Sequence, residues 1–185
     1  MTRVTNPTLP PPSQARYQVR FDVGAEGLAR IGDADVVVRV DAFGRADAGV
    51  DVAAVAPATA VVSADLRTRG AVARWILDHQ VASGRRLSIS VVTASGDGTF
   101  SSADVLGAGA VIDALAALGI DFTSPEAAVA CAAFTGLAGA VGHLLTASVA
   151  GQELVAAGTL TAAEVRACAE VDADDTPVVL RAPSA

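Results

Sequence analysis

No lysine occurs in the chain, so all 13 of its basic residues are arginine. That absence excludes a P-loop lysine, Schiff-base catalysis and Ser-Lys nucleophile pairs. Asparagine is nearly missing as well, Asn6 being its one instance. Aromatic residues make up 4% of the chain, too few for a platform on which bases could stack. Positive charge is scarce too: the 20 acidic residues leave a formal net charge of -7 and a pI near 4.6. A general grip on nucleic acid needs clustered cations that release counterions. Here the arginines are scattered, apart from the pairs Arg67/Arg69 and Arg85/Arg86. No nucleic-acid partner is expected, whereas a small anion held by one or two arginines is compatible with this inventory.

Cysteine is limited to Cys131 and Cys168, far apart and each among alanines. Two reduced, buried thiols are expected rather than a disulfide framework or a CxxC redox site. The N-terminus has no apolar signal segment; Thr5 to Gln14 is polar and contains Pro10, Pro11 and Pro12. Residues 1–15 are therefore expected to form a disordered tail on a cytoplasmic protein. The remainder of this 185-residue, 52% hydrophobic chain suffices for one domain with its own core. Between Glu126 and Glu153 the only titratable side chains are Cys131 and His143, a run long enough to cross a bilayer. Its apolar character is mostly alanine, it contains Gly136, Gly139 and Gly142, and no arginine flanks it closely. Small-residue helices packed into a core are expected there, with no membrane.

The pattern along the chain alternates strand and helix. Tyr17 to Phe21 reads as a strand and Gly24 to Ile31 as a short helix. Asp35 to Asp41, DVVVRVD, is nearly continuous and β-branched, as in a strand covered on both faces of a parallel sheet. Residues 42–59 are small and give no clear assignment. Ala60 to Ser63 and Leu87 to Val92 read as strands around a helix that Thr68 caps and Gly84 stops. Ser101 or Ser102 opens a helix to Leu118, ended by Gly119. Ser124-Pro125-Glu126 starts another, which breaks around Gly136 to Gly142 and ends at Gly158. Thr161 and Glu164 have capping-box spacing for a last helix, and Pro177 to Arg181 reads as the final strand. The sum is a single α/β domain, with a mostly parallel sheet flanked by helices.

In such sheets ligands sit beyond the carboxyl ends of the strands. The Gly-rich run from Thr93 to Asp104 is one candidate, with Ser95, Gly96, Gly98, Ser101 and Ser102 as an anion cradle and Asp97 or Asp104 as a cation ligand. The same residues also read as a plain helix start, Ser101 and Asp104 forming a capping box while the glycines turn the chain. Asp41 and Arg45 follow the strongest strand and read either as a metal and oxyanion site or as a surface ion pair. Gly107 and Gly109 fall short of a dinucleotide fingerprint because Ile112 holds the third glycine position; inside a helix they let a neighbour approach closely. Asp172, Asp174 and Asp175 read as a solvated turn, lacking the EF-hand glycine and closing glutamate. His79 and His143 are expected in a core or interface, since neither belongs to an HxxxH or GxSxG motif.

Taken in order, DGTFSSADVLGAGAVIDAL, SPEAAVACAAF, LLTASVAGQELVAAGTLTAAEVRACAEVD and TPVVL resemble the C-terminal half of the 2-phosphosulfolactate phosphatase family. Upstream, VVSADLRTRGAVARWILDHQ and DVVVRVDAFGRA look like that family's strand and helix and its strand end, so the succession spans most of residues 17–181. The resemblance implies an α/β homodimer and Mg2+-dependent hydrolysis of a small sulfonated or carboxylated phosphoester. It sets Asp41 and Arg45 at the family's Asp and Arg, with one extra residue between them, and Asp104, Ala108 and Gly109 at its acid and Ala-Gly. Asp41, Arg45 and Asp104 are thereby implied as catalytic, and Asp41 and Asp104 as Mg2+ ligands. Ala103 stands where the family has glutamate. Between Asp41 and Ser63 the chain is shorter than the family pattern, and the asparagine motifs of that segment are absent. The implied protein is a shortened member with weak or lost phosphatase activity. The alternative is a non-catalytic small-anion-binding or assembly protein on the same scaffold.

Overall fold

The computed structural model describes residues 14–45, 50–94 and 99–183. Residues 1–13 of the expected tail lie outside that description. Gln14, assigned to the tail from composition, is buried: its carboxamide donates to Phe21 O at 2.9 Å and accepts from Phe21 N at 3.1 Å. It thus occupies the free edge of the first strand as a paired backbone would.

Five strands make one sheet: β1 (Val19–Val23), β2 (Val36–Val40), β3 (Ala60–Ala64), β4 (Ile89–Thr93) and β5 (Val178–Arg181), in the order β1-β4-β2-β3-β5. The first four run parallel and β5 closes one edge antiparallel to β3. This agrees with the α/β architecture expected from sequence. All five residues of β2 are buried, the consequence of a near-unbroken valine run in a strand covered on both faces. One face, including Val36, Val38, Val62, Ile89 and Val91, packs against α2 (Arg69–Ser83), α3 (Ser102–Ala117) and α4 (Pro125–Leu137). The opposite face, with Val37, Val61 and Val92, is covered by α1 (Gly24–Ile31) and by Val50 and Val55 of the segment after β2.

The apolar run after Ser124 is not one helix. It contains α4, a 3-10 turn at Ala138–Ala140, α5 (Val141–Ala147) and α6 (Val149–Ala156). Pro125–Ala156 as a whole is long and apolar enough to cross a bilayer. The 13 residues of α4, however, rise only about 20 Å at 1.5 Å per residue, short of the roughly 30 Å of hydrocarbon to be spanned. Besides the glycine break, a second interruption falls at Ser148, whose hydroxyl accepts from Gly151 N at 3.0 Å and so caps α6. The helix α7 (Ala162–Ala167) begins with the complete capping box of Thr161 and Glu164. Together α5, α6 and α7 form a second apolar cluster with Ala42, Phe43, Leu66 and α3, over the carboxyl ends of β2 and β3.

Two glycines fix the seat of α3. A β-carbon on Gly107 would come 2.9 Å from Val40 Cγ1, and one on Gly109 would collide with the Ala130 carbonyl oxygen of α4. Gly109→Ala should therefore destabilise the fold by about 2–3 kcal/mol, the range for overpacking a tight interior. Gly136→Ala, at an exposed helical site with nothing within 4 Å, should stabilise by about 0.5–1 kcal/mol. Urea unfolding of both variants checks the pair, and equal effects would contradict this packing.

Candidate functional site

At the carboxyl end of the sheet the two central strands send their chains apart. The connection after β2 reaches the face carrying α1 at Val50 and Val55, while α3, which follows β4, lies on the opposite face. Neighbouring parallel strands whose connections diverge in this way open a crevice between their loops, the usual ligand position in open α/β sheets. Asp41 directly follows β2, and Asp104 lies in the first turn of α3.

The strand end is held by carboxylates. Asp41 is 1% exposed; its Oδ1 accepts from Phe43 N at 2.8 Å and its Oδ2 from Arg45 Nε at 2.9 Å. It is a buried carboxylate with a half-buried partner, not the surface ion pair that its loop position allowed. Arg45 keeps 38% of its side chain exposed, and its two terminal nitrogens make no hydrogen bond to a described residue. Asp104 is 3% exposed and its Oδ1 accepts from Ala42 N at 2.9 Å, joining the start of α3 to the residue after Asp41. Ser101 caps α3 by accepting from Asp104 N at 3.2 Å, as the helix-start reading expects.

Burial pushes the Asp104 carboxyl above its ordinary pKa, and the nearby Asp41 charge pushes the same way; the Ala42 amide, the Ser101 hydroxyl and the Arg45 charge pull against them. A third carboxylate, Asp65 at the end of β3, escaped the sequence reading. Its Oδ1 accepts from Thr68 N at 2.8 Å and Thr68 Oγ1 at 2.7 Å. Its Oδ2 lies 3.4 Å from where a β-carbon on Gly44 would sit. The signal was available: an aspartate ends β3 in VVSAD as one ends β2 in VVVRVD. Thr68 consequently starts α2 differently from expectation, its hydroxyl bonded to Asp65 and making no cap bond to the helix.

Other candidates fall elsewhere. Ser95, Gly96, Asp97 and Gly98 lie outside the described residues, and Ser102 is exposed at the first position of α3. His143 is exposed on this chain and so is not in the core, because α5 turns it away from the helices it packs on. His79 is half-buried and stacked on Trp75 with centroids 6.0 Å apart. The acidic turn before β5 is not simply solvated: Asp172 takes Gly70 N at 2.9 Å and Arg69 Nη2 at 3.0 Å, and Asp174 takes Arg67 Nε at 2.8 Å. Both cysteines are free and partly buried, and burial raises both thiols, which makes them poor nucleophiles.

The model of one protein family, described as 2-phosphosulpholactate phosphatase, matches residues 45–182, well over half of the chain. The chain belongs to this family. Comparison with the curated proteins gives no match. The family match begins at Arg45 and takes in Asp65 and Asp104, while Asp41 and the strands β1 and β2 precede it.

The resemblance to this phosphatase family implies Mg2+, so the donor set can be compared with what that ion requires. Mg2+ takes an octahedron of oxygens at about 2.0–2.1 Å and usually keeps several waters. Both oxygens of Asp41 and one of Asp104 already accept from protein donors, and the two carboxylates are almost fully enclosed. Among the described residues no three His, Cys, Asp or Glu side chains are grouped to hold a metal. The described residues therefore do not fit Mg2+.

The raised pKa of Asp104 has a stability consequence. A carboxyl that holds its proton more tightly when folded contributes fully below its unfolded pKa, and that contribution is lost as pH rises through its folded pKa. Asp104→Asn retains an acceptor for the Ala42 amide and removes the charge. Its stability relative to the parent should increase as pH rises above the ordinary aspartate range of about 4, measured by urea unfolding. A difference independent of pH would contradict this assignment.

Proposed function

We propose that the protein binds a small phosphomonoester carrying a sulfonate or carboxylate group in the crevice between β2 and α3, and hydrolyses it slowly. Family membership supports phosphatase chemistry as a class. The observation that carries the reading is the 2.9 Å bond from Arg45 Nε to the buried Asp41. It orients the guanidinium while leaving its terminal nitrogens to other acceptors, and that planar fork matches two oxygens of a phosphoryl group. Asp41 acts here as a positioning residue.

Hydrolysis breaks the bond from phosphorus to the ester oxygen and forms one to the oxygen of water. The departing alkoxide needs a proton, and Asp104, a carboxyl whose burial favours its protonated form, supplies that kind of group at the crevice. The water proton is left to the phosphate product or returned to Asp104. The slow rate follows from the missing asparagine motifs, since one lost oxyanion donor reduces kcat by about 10²–10³ in acyl transfer. That same loss favours the second reading, a protein that binds the anion without turning it over.

Purified protein assayed against 2-phosphosulfolactate and a generic phosphomonoester separates these readings. Slow turnover that Arg45→Met removes is the expected result. Absence of turnover together with measurable phosphate binding would establish the binding protein, and absence of both would overturn the site.

The protein is further proposed to act as a homodimer in the cytoplasm. The free cysteines accord with a reducing compartment. Phe100 and Val129, 72% and 71% exposed, line an apolar groove of about 370 Å3 with Phe21 and Val23 of β1, a surface of the type that associates. Sedimentation should give a dimer that Val129→Asp dissociates; a monomer before substitution would refute this.

A further inference from the structure

We infer that the Arg45 guanidinium is the resident cation of this site, so that the crevice takes a free phosphoryl or sulfonyl oxyanion directly and not a divalent-metal chelate of it. This rests on the anion-binding reading above and specifies the form in which the ligand is recognised. Asp41 is 1% exposed, and burying a carboxyl group is costly unless it is hydrogen-bonded and paired. Arg45 Nε at 2.9 Å and Phe43 N at 2.8 Å meet that need at Oδ2 and Oδ1. A divalent ion approaching Asp41 would have to displace one of them. Among the described residues the neighbouring carboxylates offer no better seat. Asp104 Oδ1 is engaged by Ala42 N, and Asp65 Oδ1 by both donors of Thr68. The terminal nitrogens of Arg45, on a side chain 38% exposed, make no hydrogen bond to a described residue and stay available to an oxyanion.

Calorimetric titration of the full chain tests this, with inorganic phosphate in the presence of EDTA, with phosphate at saturating Mg2+, and with Mn2+ alone. Phosphate should bind in EDTA with an affinity that Mg2+ changes by less than about twofold. Arg45→Met should weaken it at least about tenfold, the loss expected for charge-assisted hydrogen bonds of roughly 1.5–3 kcal/mol. Should Arg45→Met fail to fold, as judged by its melting curve, Arg45→Lys keeps the charge without the planar fork; its weaker phosphate binding should still be indifferent to Mg2+. One Mn2+ bound per chain and lost in Asp41→Asn or Asp104→Asn would overturn the inference. So would phosphate binding that appears only with the metal, and that result would leave the anion-binding function standing. No phosphate binding under any condition would overturn both.

Discussion

The close approach of α3 to the sheet is the constraint on which the remainder of the structure depends. Gly107 lies against Val40 and Gly109 against the Ala130 carbonyl, so the helix seats where a side chain at either position would hold it off. That seat brings Asp104 to the Ala42 amide, 62 residues away in sequence, at 2.9 Å. The same seat lets Ala103, Leu106 and Ala110 meet Phe43 and Leu66, forming the apolar cluster that α5, α6 and α7 complete. A helix displaced by one methyl radius would lose the hydrogen bond and the cluster together, because packed interiors at this density have no slack to absorb the shift.

The arginine-only inventory does more than exclude lysine chemistry. A guanidinium presents five donors in a rigid fork, and several arginines here hold backbone in place. Arg20, nearly enclosed, donates to the carbonyls of Ala15, Tyr17, Ile31 and Asp33, tying the start of β1 to the end of α1. Arg181 on β5 donates to Val52, Val55, Ala56 and Thr59, which holds the segment between β2 and β3 against the sheet. Arg67 and Arg69 anchor the turn before β5 to the start of α2 through Asp174 and Asp172. Arg45 differs in engaging a single nitrogen with its partner. Its terminal nitrogens make no hydrogen bond to a described residue, and the proposed anion site rests on that feature.

What the sequence made legible was local. The valine run of β2, the helix from Gly24 to Ile31, the caps at Ser101 and Ser124 and the Thr161–Glu164 box each depend on neighbours within four residues, and each is present. The close-approach role of Gly107 and Gly109 was readable because glycines inside a helix have few other uses. The segment 42–59 was not readable: only its short turn at Val52–Ala54 is locally capped, by Asp51, and its placement comes from Arg181 more than a hundred residues later. The acidic turn before β5 was misread because its partners, Arg67 and Arg69, are set by tertiary contacts, whereas Asp65, bonded to Thr68 three residues on, was missed although its signal was local. In the site, the Asp41 and Arg45 pair could be foreseen from spacing, but its burial could not, because that depends on α3 and the helices stacked beyond it.

The central claim, that α3 carries onto the backbone at the end of β2 a carboxyl whose pKa is raised by burial, is tested most directly by NMR titration of the Ala42 amide. Its proton shift should follow the Asp104 carboxyl, with an inflection above the ordinary aspartate range that vanishes in Asp104→Asn. An Ala42 amide whose shift ignores pH in this range, or whose titration survives Asp104→Asn, would contradict the account.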